Sequence, residues 1–564
     1  MRKAFLPAVA LVAAIAAAAP GATYPAARQA QPTEYVVLYA DSASLASARL
    51  AVQAAGGTIV KENTDVGVAT VSSLNPSFLT DVGAQTSLAG ASRNVPIGED
   101  TPLTRPKRDD VEKLDAERRA SRGEGSGRHR GKRHVSADPL ADLQWNMAMI
   151  HATADGSYRK QQGDPRVLVG ILDTGIDATH PDIAPNFDAS LSRNFTTDIP
   201  LIDGPCEEEP DQSCSDPATV DEDGHGTHVA GIVAAALNRI GVAGVAPKVT
   251  LVNLRAGQDS GFFFLQASVD ALTYAADHGV DVVNMSYFID PWLFNCADNP
   301  ADSPEAQMEQ RTVIAATNRA LDYAHRHGVT LIAAEGNEHI DLGDPTVDTT
   351  SPDFPPDTAY PRNVDNSCLD MPTEGNNVLA VSAVGPSTIK ADYSTYGLER
   401  TVVAAPGGYF RDNLGTPQFQ TPGNLILSAY PESLAIANGD LNPDGTPNNP
   451  FVVRDCQNGV CAYYQYLQGT SMAAPHAVGV AALIVSEYGH REGRSGGLTL
   501  RPDRVERILR RTATDHPCPN PPLIDYRAVG RPEDWNAECV GTPDVNSIWG
   551  DGIVDALAAV TDRR

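Results

Sequence analysis

Four polar residues stand where the chain leaves or enters an apolar segment: Asp173 after "VLVGIL", His225 in "DGHGTHVAGIVAAAL", Asn337 after "VTLIAAEG" and Ser471 in "GTSMAAPHAVGVAAL". Each alone has an ordinary structural role. A serine before a helix caps it, aspartate and asparagine close turns, and a histidine in an apolar helix is buried and hydrogen-bonded. Together they form a set with chemical use. A serine hydroxyl becomes nucleophilic when an imidazole accepts its proton, a carboxylate fixes the imidazole tautomer, and an amide donates to the developing oxyanion. That set performs acyl transfer. A zinc reading of His225 with His228 is poor, because the i, i+3 spacing comes with no acid in a metal motif. Pro475 is expected in the first turn of a helix beginning at Ser471, where its missing N–H costs little.

The elements that must position these residues are legible as apolar runs. "RVLVGILD", "VTLVNLRA", "VDVVNMSYF", "VTLIAAEGN", "VLAVSAVG" and "TVVAAPG" read as buried strands, alternating with helical stretches such as "SVDALTYAADHG". Continuous Val/Ile/Leu runs between helices signal a parallel sheet covered on both faces, a doubly wound α/β fold. Ligands of such sheets bind beyond the C-terminal strand ends, and Asp173 and Asn337 follow strands directly.

"VGILDTGIDATHPD", "DGHGTHVAGIVAA", "VVNMSYF", "AAEGNE" and "GTSMAAPHAVGVAAL" resemble the signature regions of the subtilisin-like serine proteases, the subtilases. With "YSTYG", "VVAAPGG" and "WGDGIVDALAAV" the resemblance runs over most of Asp138 to Val560. It implies Asp173 as orienting acid, His225 as base, Ser471 as nucleophile and Asn337 as oxyanion donor. It also implies an endopeptidase acting on proteins or peptides through an acyl-enzyme, without an organic cofactor. The walls of its P1 pocket would be Ser286, Tyr287 and Phe288 on one side and Glu335 and Gly336 on the other. Here the chain departs from many relatives, with Tyr287, Phe288 and Ile289 where they carry a small residue and two glycines, and Glu335 where they carry alanine. Glu335 either favours a basic P1 side chain or points away. A catalytically silent subtilase fold used for binding is the rival class, against which all four positions are intact.

The chain has 564 residues and a formal net charge of −28, a balance that repels nucleic acid and suits a soluble secreted protein. Residues 1–30, with Arg2 and Lys3 before an apolar stretch to Ala19, read as a secretory signal too short to serve as a membrane anchor. The eight cysteines then belong in disulfides. Closeness pairs Cys206 with Cys214, Cys456 with Cys461 and Cys518 with Cys539, leaving Cys296 and Cys368. Residues 33–100 read as a small α+β module, "EYVVLYA", "TIVKEN" and "VGVATVSS" as strands and "SASLASARLAVQAAG" as a helix. Residues 101–137 are a polar, locally basic linker unable to bury a core, and 138–564 form the catalytic domain. By resemblance the module is an inhibitory propeptide, the chain's own intramolecular partner, and the enzyme a monomer. Two loops rich in carboxylates, Asp188 to Asp221 and the one after Asn337, suit calcium or are simply solvated.

Overall fold

The computed structural model of the chain describes residues 32–94, 138–206, 212–355, 358–491 and 497–563. The signal segment and the linker lie outside the described residues.

The N-terminal module forms β1 (Thr33–Tyr39), α1 (Leu45–Ala54), β2 (Gly57–Asn63), β3 (Val68–Ser73), α2 (Phe78–Gly83) and β4 (Leu88–Arg93), with an antiparallel sheet in the order β2-β3-β1-β4. Its strands divide their side chains by the two-residue period of a pleat. Tyr35, Val37 and Tyr39 pack on α1 and α2, whereas Val36 and Leu38 join a core shared with the larger domain. β4 completes a sheet that the sequence announces only in part, and α2 is likewise an element the sequence reading lacks.

The larger domain is a doubly wound α/β fold. Its chain order runs β5 (Leu168–Leu172), β6 (Arg193–Asn194), α3 (His225–Ala234), β7 (Thr250–Arg255), α4 (Leu265–Asp277), β8 (Val282–Met285), α5 (Pro304–Arg326), β9 (Thr330–Ala334), β10 (Val378–Val384) and β11 (Thr401–Pro406). The seven strands are all parallel, in the order β11-β10-β9-β8-β5-β7-β6. The six apolar runs of the sequence are the six long strands. Both faces are buried, so strand residues alternate between two cores. Val169, Ile171, Val282 and Ile332 face one side, with α3 and the long helix that follows the sheet; Leu172, Val283, Leu331 and Ala333 face α4 and α5.

A three-stranded antiparallel sheet of β12 (Ile426–Tyr430), β13 (Val452–Gln457) and β14 (Val460–Leu467) precedes α6 (Thr470–Tyr488). This sheet is absent from the sequence reading. α6 is buried from Thr470 to Val485 and runs beneath the main sheet. α7 (Pro502–Thr512) packs against it. The structure pairs the cysteines as Cys206–Cys214, Cys296–Cys368, Cys456–Cys461 and Cys518–Cys539.

Candidate active site

The chain switches direction across the sheet at β5, which lies between β7 and β8. The crevice of a doubly wound sheet opens at such a point. Asp173 is the first residue past β5 and is fully buried. Its carbonyl accepts the N–H groups of Ala256 and Gly257, each at 3.1 Å, which locks the end of β5 to the segment after β7.

The start of α3 is held to that point by a second aspartate. Asp221 accepts from Gly224 N at 2.8 Å, Thr227 N at 2.9 Å, Thr227 Oγ1 at 2.6 Å and Thr174 Oγ1 at 3.2 Å. It caps the helix and ties it to the residue following Asp173. Gly226 makes the approach sterically feasible, since a Cβ there would lie 2.1 Å from the Gly175 carbonyl oxygen. The helix thus delivers His225 Nδ1 to Asp173 Oδ1 at 2.7 Å. A carboxylate at that distance accepts, so Nδ1 carries the proton and Nε2 is left as the acceptor. His228 lies one turn on, fully buried, with Nε2 donating to the Gln465 and Ile426 carbonyls. Burial pushes it down to about 3, so it stays neutral and serves packing.

Asn337 is fixed from the helix that carries Ser471. Thr470 donates its N–H to Asn337 Oδ1 at 2.9 Å and its hydroxyl at 3.1 Å, while Gly336 N donates to Thr470 Oγ1 at 3.1 Å. With Oδ1 held there, the amide nitrogen is turned the other way. α6 begins at Thr470, which corrects the expectation for Pro475: it is the sixth helical residue, beyond the first turn. Its missing N–H would have bonded Ser471 O. Ser286 fills that place, its hydroxyl donating to Ser471 O at 3.2 Å while accepting from Asn284 Nδ2 at 2.9 Å. The end of β8 therefore holds the helix turn that presents Ser471.

His225, Asn337 and Ser471 line one cleft of about 770 Å³ with Ser286, Tyr287, Phe288 and Gly336. Glu335 is not among the lining residues. It is fully buried behind its strand, accepts from Thr401 Oγ1 at 2.7 Å, and is held well above the usual carboxylate range by burial. Glutamate is long enough to reach the far face of the sheet, and β11 offers a hydroxyl there. The cleft also includes residues that sequence reasoning missed: Thr174, Asp223, Phe263, Glu338, Asp370 and Thr373. Phe263 explains the departure at Tyr287, because the two rings stack with centroids 4.1 Å apart and bridge the segments after β7 and β8. The signal lay in "GFFFL", an apolar cluster just past a strand.

Asp198 and Asp216 of the acidic loop meet Asp259, past β7, with their carboxylate oxygens within 4.8 Å of one another. Calcium would suit such oxygens. The Arg255 guanidinium already stands among them, donating to Asp198 at 3.1 Å, to Asp259 at 2.7 Å and to Asp216. A cation does not fit while that side chain is in place.

The family model described as the subtilase family matches residues 164–529. Subtilisin DY of Bacillus licheniformis is 29% identical over 351 residues, 62% of this chain and 84% of that protein. M-protease of Shouchella clausii is 27% identical over 342 residues, 61% of this chain and 59% of its own length. The solved epidermin leader peptide processing serine protease of Staphylococcus aureus has the same fold, with a TM-score of 0.60 at 19% identity, over 95% of this chain and all of that one.

Proposed function

The chain belongs to the subtilase family and is a subtilisin-like serine protease, and on that premise we propose that Ser471 is the nucleophile of a secreted endopeptidase. The observation that carries this reading is the 2.7 Å bond from His225 Nδ1 to buried Asp173, in a cleft shared with Ser471 and Asn337. His225 Nε2 takes the Ser471 proton as the hydroxyl oxygen attacks the scissile carbonyl. Asp173, fixed in place, stabilises the imidazolium that results. Negative charge develops on the carbonyl oxygen, met by the Asn337 amide and the N-terminal end of α6. The imidazolium returns the proton to the leaving amine, and water then repeats the cycle on the acyl-enzyme.

The module of residues 33–94 is proposed to be the inhibitory propeptide. It sits on α4 and α5: Lys61 Nζ meets Asp270 at 2.7 Å, Arg319 donates to the Tyr39 carbonyl at 2.8 Å, and Arg93 meets Glu309 at 3.1 Å. As the crossover between parallel strands β8 and β9, α5 runs opposite to them. Its N-terminal half, with Glu309, therefore lies at the catalytic edge of the sheet, and β4 leads the chain toward that edge. That direction of β4, which ends at Arg93, supports release of the module by the enzyme itself.

Ser471→Ala and His225→Ala are each expected to lower kcat by about 10⁴-fold or more, with the double variant within about threefold of either. Asn337→Ala is expected to cost about 10²–10³ in kcat with little change in KM. Steady-state kinetics on a peptide substrate test this; additive losses, or a pure KM effect at Asn337, would contradict the assignment.

A further inference from the structure

We propose that Trp535 is a positioning residue for the reaction: stacked on His339, it fixes the loop that carries Asn337, and so acts on the oxyanion step from outside the cleft. This rests on the protease reading above. Gly336, Asn337 and Glu338 line the cleft, whereas His339 and Trp535 are not among the lining residues.

The loop leaves β9 through two left-handed positions, Gly336 at φ 109° and His339 at φ 54°. Glycine takes such a conformation freely, but a residue with a Cβ keeps it only where the surrounding contacts over-determine it. At His339 those contacts come from both backbone and ring. Its N–H donates to the Tyr393 carbonyl at 2.8 Å, in a segment between β10 and β11 that also bonds the loop through Thr395 N to the Gly336 carbonyl and Tyr396 N to the Ile340 carbonyl, each at 3.0 Å. Its imidazole lies on the Trp535 indole, with ring centres 4.0 Å apart and planes 15° from parallel. Burial pushes that imidazole down to about 4, so a neutral ring makes the stack.

Trp535 is itself held. The Arg531 guanidinium stands 3.8 Å from the centre of its ring and pairs with buried Asp392, the neighbour of Tyr393. The contacts therefore close a circuit, from His339 through Trp535, Arg531 and Asp392 back to the carbonyl that holds His339. The Cys518–Cys539 bridge and the Tyr526 hydroxyl, which donates to the Lys390 carbonyl at 2.8 Å, anchor the same C-terminal segment. Thr470 sets the Asn337 side chain from α6, and the circuit sets the backbone that bears it. Both count, because a displacement of about 1 Å at a reacting centre can cost about 10²-fold in rate.

Steady-state kinetics on one peptide test this, with Trp535→Ala and Trp535→Phe made in the parent and in Asn337→Ala. Trp535→Ala is expected to lower kcat by about 10–100-fold with KM within about twofold, and Trp535→Phe, which keeps a stacking ring, to retain most of it. In Asn337→Ala the same Trp535→Ala change is expected to alter kcat by less than about threefold, since the amide through which it acts is gone. His339→Asn removes the other ring of the stack while tolerating the left-handed turn, and is expected to match Trp535→Ala; it decides the matter if Trp535→Ala does not fold. Unchanged kcat in a folded variant, or an equal loss with and without Asn337, overturns the proposal. A fluorophosphonate separates the two levels. A parent that does not react refutes the protease reading, whereas one that reacts while Trp535→Ala and His339→Asn keep full kcat refutes the positioning role alone.

Discussion

Lys390 is fully buried, its ammonium 4.8 Å from the centre of the Tyr396 ring and 5.5 Å from that of Tyr526. Burial pushes it down to about 7, against the pull of Asp392, Glu335 and Asp341. Glu335 is pushed the opposite way by the same burial, well above the usual carboxylate range. The sign follows directly. Between about pH 7 and about 10.4 the unfolded lysine holds a proton that the folded one has released. Stability contributed by this residue therefore rises with pH across that window. Lys390→Met, made in a Ser471→Ala background to prevent self-digestion, is expected to raise Tm at pH 7 and to lose most of that advantage by pH 10. Thermal unfolding at several pH values checks it; a constant difference would contradict the account. Glu335 also shows what sequence could not give. Its partners Lys390 and Thr401 are distant in the chain, so nothing local says which way the side chain turns. Asp173, His225 and Asn337 were legible because each is bounded by the apolar run that places it.

At the scale of elements, the six strands were legible because strands buried on both faces need unbroken apolar runs. The β12–β14 sheet was not, for its strands mix Tyr, Gln, Asp and Arg. One short segment of that sheet carries a strong turn signal. "CQNGVC" holds the Cys456–Cys461 disulfide, and within it Asn458 and Gly459, both with positive φ, 53° and 85°, turn β13 into β14 as an Asn-Gly hairpin. Pro475 was legible as a residue while its consequence was not, since it depends on where α6 begins. Ser286 and Pro475 are coupled through the Ser471 carbonyl. Ser286→Ala is expected to destabilise by about 1–3 kcal/mol and to lower kcat, because a buried acceptor loses its donor. Pro475→Ala in that background restores a helical N–H and is expected to recover part of both. A double-mutant cycle on Tm and kcat measures the coupling, and additive effects would count against it.

Across the whole molecule the module and the catalytic domain share one apolar core, with Val36, Leu38, Val66 and Val68 among the side chains of α4 and α5. Their ion pairs place Lys61 and Arg93 on acids Asp270 and Glu309 of the domain. The module's existence was legible from its period-two strands, but its seat was not, because that seat is assembled from helices more than 200 residues away. At this scale Ser471 lines a cleft in the large domain, and the module is docked on α4 and α5. The most direct measurement is reaction of the secreted, processed protein with a fluorophosphonate, followed by peptide mapping. The account predicts one adduct per molecule, on Ser471, lost in His225→Ala. No adduct on the processed protein, or an adduct on another serine, would contradict it.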